Sequence, residues 1–239
     1  PDQPTLLSVA AGSSEVVVVG DIGAMLRYDG TSWAALSSGS PYPLKTIHGV
    51  DDMHIWAGGL HGALLSRSGS SFTQYPSVVT LPNFLSIFVI SASDAWGVGG
   101  YNIWHWNGVS WSETPMRSTG SLNAVWAASA TQVYAVGSAG TAYFYDGTSW
   151  SLINSGTGLD LKAITGSGPS DIWAGGDKGV VLHSTGGSFS LVPGALSATG
   201  TVGGIWAEAP NNVYFAADTN IFHYDGSTYT KTATAVTGL

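Results

Sequence analysis

Residues able to do chemistry are sparse in this 239-residue chain: 15 Asp and Glu, six His, and seven Lys and Arg. Three of the carboxylates sit in near copies of one motif: Asp29 in YDGTSW (28–33), Asp146 in YDGTSW (145–150) and Asp225 in YDGSTY (224–229). A carboxylate beside an aromatic ring could hold a cation or a sugar, the oxygens accepting hydrogen bonds and the ring stacking. The same Asp-Gly pair could instead close a hairpin, with glycine supplying positive φ and aspartate bonding to nearby backbone. Other copies of the motif decide between these. They carry Ser68, Asn107 and Thr185 where the three have Asp. A position that accepts Ser, Asn and Thr is a turn position, not a reacting carboxylate.

The remaining candidates are as thin. His105, His183 and His223 recur at one place in the motif's upstream strand, where other copies have Arg27, Ser66 and Phe144. Spread over different copies, they read as edge or packing residues between repeats more than as metal ligands. There is no cysteine, which excludes thiolate zinc sites and disulfides. Nucleophile elbows, His-Glu-x-x-His helices, phosphate loops and dinucleotide fingerprints are also missing from the sequence. A net charge of −8 excludes nucleic acid and anionic membrane surfaces as natural partners, because binding a polyanion needs clustered cations. No apolar run approaches the roughly 18 residues needed to span a bilayer, so membrane insertion is not expected. The sequence begins at Pro1 without a methionine, which reads as a processed or trimmed soluble piece.

The elements that position these residues follow from a repeat. The motif glycine recurs as Gly30, Gly69, Gly108, Gly147, Gly186 and Gly226, at steps of 39 residues and a last step of 40. An aromatic follows three residues later each time: Trp33, Phe72, Trp111, Trp150, Phe189 and Tyr229. Upstream and in phase run EVVVVG, HIWAGG, DAWGVG, QVYAVG, DIWAGG and NVYFAA, ending at Gly20, Gly59, Gly99, Gly137, Gly176 and Ala217. Inside the fifth unit, LKAITG (161–166), DIWAGG, GVVLHS (179–184) and SFSLV (188–192) are short runs bounded by turn formers, hence four antiparallel strands. Four strands per roughly 40 residues is a propeller blade. The fold class is therefore all-β, a six-bladed β-propeller in one domain, 1–239. Its blades lie near 6–43, 44–83, 84–121, 122–160, 161–202 and 203–239. The ring aromatics of the second strand (Trp56, Trp96, Tyr134, Trp173, Tyr214) and of the fourth read as packing between adjacent blades, since each buries a large area. The two identical motifs lie 117 residues apart, three repeat lengths, which suggests duplication of a three-blade unit.

The unit resembles the secreted bacterial propeller repeats that read roughly D-x-W-A-V-G-x-x-G-x-x-x-x-Y-D-G-T-S-W, loosely related to the BNR or Asp-box repeat. The likeness covers all six copies. The Asp-box places its Asp two residues before the glycine, where this chain has Tyr28, Tyr145 or Tyr224. The likeness to sialidase-type propellers is thus architectural, and their arginine-rich catalytic site does not carry over. Arg27, Arg67 and Arg117 are the only arginines.

Function in a propeller is expected in the loops of one mouth, free of the packing demands of the blade. The turns between strands two and three read GDIG, GLHG, GYN, GSAG, GDKG and DTN, variable within a constant frame. They present Asp21, His61, Tyr101, Asn102, Asp177, Lys178 and Asp218 as candidate ligand-binding residues, with Tyr42, Asn83 and Arg117 on the links between blades. The shorter turns of blades three and six close with Asn102 and Asn220, where asparagine is expected to take the positive φ. The function read from these features is a non-catalytic module that binds a surface glycan or an extracellular protein, and acts as a monomer. No catalytic residue and no resident cofactor is assigned. The alternative is a calcium-dependent hydrolase or lyase for a carbohydrate or lactone, with Asp21, Asp177 and Asp218 holding Ca²⁺ in the channel. Few charges, at 9%, with many Ser, Thr and Trp fit a protein that is secreted, periplasmic or on the cell surface.

Overall fold

The computed structural model describes residues 3–75, 83–116, 120–196 and 200–232. They form two compact units, Pro1–Met116 and Arg117–Leu239, with three blades in each. This is the grouping that the 117-residue spacing marks. The described residues contain strands, turns and three single-turn 3₁₀ segments, and none is in an α-helix.

In the first unit, blade one comprises β1 (Leu6–Ala11), β2 (Val16–Gly20), β3 (Met25–Tyr28) and β4 (Trp33–Ala35). Blade two comprises β5 (Leu44–Gly49), β6 (Ile55–Gly59), β7 (Leu64–Ser68) and β8 (Ser71–Gln74); blade three comprises β9 (Ser86–Ser91), β10 (Asp94–Gly99), β11 (Asn102–Trp106) and β12 (Trp111–Pro115). In the second unit, blade four comprises β13 (Leu122–Ser129), β14 (Gln132–Gly137), β15 (Ala142–Tyr145) and β16 (Trp150–Leu152). Blade five comprises β17 (Leu161–Gly168), β18 (Asp171–Gly176), β19 (Val181–Ser184) and β20 (Ser190–Leu191); blade six comprises β21 (Val202–Ala209), β22 (Asn212–Ala217), β23 (Asn220–Tyr224) and β24 (Tyr229–Thr232). Each blade is an antiparallel meander in chain order.

The apolar runs are buried because both faces of the second strand are covered. Val17 and Val19 of blade one pack with Leu44, Ile47, Ile55, Leu65 and Phe72 of blade two, and Val181 of blade five packs with Val202, Val213, Phe215 and Phe222 of blade six. Hydrogen bonds tie neighbouring blades as well. Ile47 N–H donates to Ser8 Oγ at 3.1 Å, Ile87 N–H to Thr46 Oγ1 at 3.0 Å, and Asn123 Nδ2 to the Leu161 carbonyl at 2.8 Å. A buried ion group joins blades one and two: both Arg27 and Arg67 meet the Glu15 carboxylate, which is 3% exposed.

The fourth-strand aromatics pack backward onto the preceding blade. Trp111 stands perpendicular to Trp56 at 5.2 Å, and Phe189 meets Tyr134 at 5.9 Å. Trp33 departs from the expectation. It is 53% exposed and leans on Tyr28 of its own hairpin at 5.2 Å. Tyr214, on the last blade of the second unit, is likewise 37% exposed.

The in-phase glycines have a steric cause. A Cβ on Gly20, Gly59, Gly99, Gly137 or Gly176 would lie 1.7–2.1 Å from the carbonyl oxygen of Thr5, Pro43, Asn83, Ser121 or Asp160. Four of those carbonyls accept the N–H just after the glycine, at 2.8–3.0 Å. Blade six has Ala217 at this place, and the matching bond, Asp218 N–H to the Thr201 carbonyl, stretches to 3.3 Å. The Asp-Gly hairpins are as read: Asp29 Oδ1 accepts the N–H groups of Thr31 and Ser32, both at 2.9 Å, while Gly30 has φ 94°. Asn107, Asp146 and Asp225 do the same. The Thr31 hydroxyl, which donates to Asp29 Oδ1 at 2.7 Å, and then the Ser32 and Thr31 N–H groups favour the ionised form and lower the Asp29 pKa to about 2.

Candidate functional site

The turns between second and third strands are built from unusual backbone. Every non-glycine residue with positive φ among the described residues lies in one of them: Ile22 (53°), His61 (55°), Ala139 (53°), Lys178 (56°) and Asp218 (51°). In the four-residue turns, a non-glycine left-handed residue precedes a left-handed glycine, as in Ile22-Gly23 and Lys178-Gly179. A left-handed L-residue costs about 1–2 kcal/mol, and a β-branched one such as Ile22 is least suited to it. The two shorter turns differ from expectation. Positive φ falls on Gly100 and Asp218, the first turn residues, and Asn102 and Asn220 are ordinary strand residues paired with Gly99 and Ala217. The register decides this: those pairings leave only two residues outside the ladder. Asn102 is therefore part of a strand, not a turn-closing residue.

In the first unit the turns gather three of the expected residues. The His61 ring lies 4.6 Å from the Tyr42 ring, and His61 N–H donates to Asn83 Oδ1 at 2.8 Å. Asp21 lies 3.4 Å from Lys45 Nζ, and Tyr101 is 57% exposed at its turn. In the second unit, Thr201 connects two of the carboxylates. Its Oγ1 donates to Asp177 Oδ1 at 3.0 Å and its N–H to Asp218 Oδ1 at 3.2 Å. Lys178 is exposed. Arg117 lies outside the described residues.

One position escaped the sequence reading. Asp160 caps the strained Ala139 N–H at 2.8 Å and meets Lys162 Nζ at 2.9 Å, and these contacts lower its pKa, the backbone bond first. Its signal was the place just ahead of a first strand, where Asn83 also stands, and both side chains accept an N–H from the turn. An open cleft of about 400 Å³ adjoins that turn, lined by Ala139, Gly140, Thr141, Asn154, Ser155 and Thr157. It offers hydroxyl and amide groups, with no ionisable side chain in its wall.

The recurrent histidines bond within their own blade rather than between blades. His105 meets Asp94 at 2.9 Å, His183 meets Asp171 at 2.8 Å, and His223 meets Asn212 at 2.8 Å. Each ring lies over the second-strand aromatic, at 4.0 Å on Trp96, 4.2 Å on Trp173 and 4.4 Å on Tyr214. The antiparallel register explains it: His105 is opposite Trp96, which puts Asp94 on the diagonal. Ser167, Asp171 and His183 have the types of a catalytic triad but the wrong bonding. Ser167 Oγ donates to Asp171 Oδ2 at 2.6 Å while His183 takes Oδ1, so no imidazole stands ready to receive the serine proton. Among the described residues, no group of three His, Cys, Asp or Glu could hold a metal ion.

With the geometry established, known proteins can be compared. Solved structures superpose over nearly the whole chain. YCF48 bound to D1 peptide covers 97% of this chain and 81% of its own at TM-score 0.75 and 17% identity. YCF48 from Cyanidioschyzon merolae covers 97% and 86% at TM-score 0.76 and 16% identity, and the WD40 repeats of RRP9 cover 98% and 81% at TM-score 0.78 and 11% identity. The fold is a six-bladed β-propeller. At such identities the likeness is one of fold alone. No protein-family model and no curated protein matches the chain. No helix of the described residues is long and apolar enough to cross a membrane.

Proposed function

We propose that the protein is a non-catalytic binding module, which engages a protein partner or a surface glycan through the turns between second and third strands. One observation carries this reading: the left-handed non-glycine residues are confined to those turns. Strained backbone that glycine would relieve is retained where side chains are needed, and Ile22, His61, Lys178 and Asp218 are displayed by it. The rest of each blade is rigid, hydrogen-bonded strand, the arrangement that suits recognition by loops on a scaffold. A peptide appears with one structural neighbour, YCF48 bound to D1 peptide, which favours a polypeptide ligand over a glycan. No observation favours the metal-assisted hydrolase, since Asp21 faces Lys45 while Asp177 and Asp218 share Thr201.

The test pairs a glycan array with capture and identification of partners, followed by affinity measurement on the double variants His61→Gly/Tyr101→Ala and Asp177→Ala/Lys178→Gly. At least one should weaken binding by about tenfold or more, roughly 1.4 kcal/mol, with the fold intact. Unchanged affinity in both would refute the assignment. We also infer export to the cell surface, periplasm or medium, supported by the low charge content; fractionation of the native host showing the protein only in cytosol would overturn it.

A further inference from the structure

The forward face of a blade, the one that meets the next blade of its unit, is built as a socket. A Cβ on Gly58 would lie 2.7 Å from both Phe84 and Ile87, at the entry to blade three, and one on Gly175 would lie 2.7 Å from Val202 and 3.1 Å from Ile205 of blade six. Apolar side chains at the start of one blade thus plug into small residues of the blade before it, and a fourth-strand ring closes the contact, as Trp111 does on Trp56 and Phe189 on Tyr134. Blade six presents the same socket without a plug among the described residues. Ala216 stands at the place of Gly58 and Gly175, one residue before the in-phase Ala217, with Gly204 opposite it. An open depression of about 290 Å³ lies there, lined by Gly204, Ile205, Trp206, Tyr214, Ala216 and Ile221. A Cβ on Gly204 would meet only Ala216 Cβ, at 3.8 Å, and Trp206, Tyr214 and Ile221 are exposed. The polar groups beside the depression bond to one another, His223 to Asn212 and Asn212 to Glu208.

Blade one carries the matching plug. Leu6 pairs with Gly20 as Leu44 does with Gly59 and Val202 with Ala217, and Val9 lies opposite Val18 as Ile47 lies opposite Ala57 and Ile205 opposite Phe215. Leu44 and Ile47 pack against blade one at 0% and 3% exposure, whereas Leu6 and Val9 are 49% and 61% exposed. Trp33, the fourth-strand ring, is exposed with them. Val9, Val18, Leu26 and Ala35 lie opposite one another across the four strands, a row without an ionisable group.

We propose that blade one of one copy of this chain docks Leu6, Val9 and Trp33 onto Trp206, Tyr214 and Ala216 of blade six of a second copy. The repeat itself says what covers such a face. Where two successive blades of a unit meet, the forward face of one takes the first-strand and fourth-strand side chains of the next, as blade two does with Ile87 and Trp111. Blade one holds that set exposed, and neither the plug nor the lining of the socket carries a charge, so their contact removes apolar area from water without burying an unpaired ion. The contact joins two different surfaces and is heterologous, so further copies can add at the free plug and the free socket. It replaces the monomer expected from the sequence and uses none of the turns between second and third strands.

Sedimentation velocity on the full chain tests this. The wild type should be monomeric near about 1 µM and exceed twice the mass of the chain by about 300 µM, as for a contact with a dissociation constant on the order of 10 µM. Val9→Glu spoils the plug and Trp206→Glu the socket; both positions are exposed, so circular dichroism should show the fold intact. Each variant alone should stay monomeric. Mixed in equal amounts, the two should form a dimer and nothing larger, because each retains the half that the other lacks. Leu6→Lys and Ile221→Lys should repeat the pattern from neighbouring exposed positions. A wild type still monomeric at about 300 µM would overturn the proposal and leave these faces to a different occupant. Association of either variant alone, or a mixture of the two that stays monomeric, would overturn it as well.

Discussion

Replacing Ile22 by glycine should stabilise the protein, contrary to the usual effect of removing a large apolar side chain. Ile22 has φ 53° and ψ 28° and is 71% exposed, so it pays the left-handed cost with little burial in return. That cost is about 1–2 kcal/mol for an L-residue, nearer the upper figure for a β-branched one. Glycine gives back roughly 0.5–1 kcal/mol because its unfolded chain is freer. The net gain is about 0.5–1 kcal/mol, a rise in Tm of roughly 1–4 °C for a chain of this size. Thermal and urea unfolding would measure it. Ala139→Gly is the control, because alanine at φ 53° has almost no side chain to lose, and it should gain a similar amount. The two positions lie in separate units, so their effects should add within about 0.5 kcal/mol. A fall in Tm for Ile22→Gly, with a rise for Ala139→Gly, would mean that the isoleucine side chain is held by contacts the exposure does not reveal. A fall in both would refute the argument that these turns are strained.

Two further outcomes follow from buried charge. Glu15→Gln should cost about 3–5 kcal/mol in urea unfolding, because Arg67, its side chain 6% exposed, would keep its charge with only the Gly69 carbonyl and the Phe72 ring against it, and Arg27 already lies 2.6 Å from the carboxylate without an aligned hydrogen bond; a loss under about 1 kcal/mol would show that water reaches the group. Burial lowers the His48 pKa to about 4, and its Nδ1 accepts the Val89 N–H of the next blade at 3.0 Å. The unfolded chain, titrating near 6.5, takes up the proton first, so stability should be full above about pH 6.5 and fall by up to roughly 3 kcal/mol as pH drops to about 4. His48→Gln should flatten that part of the pH profile, and an unchanged profile would assign the loss to other groups.

What could be read from the chain was what repeats or what is local. The 39-residue step and the runs bounded by glycine determined six blades of four strands. Substitution of Asp29 by Ser68, Asn107 and Thr185 in the other copies determined that the Asp-Gly motif is a turn, because a hairpin closes with groups a few residues apart. The in-phase glycines were visible too, but their reason was not. The carbonyl that excludes a Cβ at Gly59 belongs to Pro43, 16 residues earlier. Tertiary structure alone decided the rest. It placed positive φ on Ile22 and Gly100 rather than on Asn102, paired the histidines with Asp94, Asp171 and Asn212, and left Trp33 in solvent. Each depends on strand register or on whether a neighbouring blade covers a face, and neither is encoded in any short stretch.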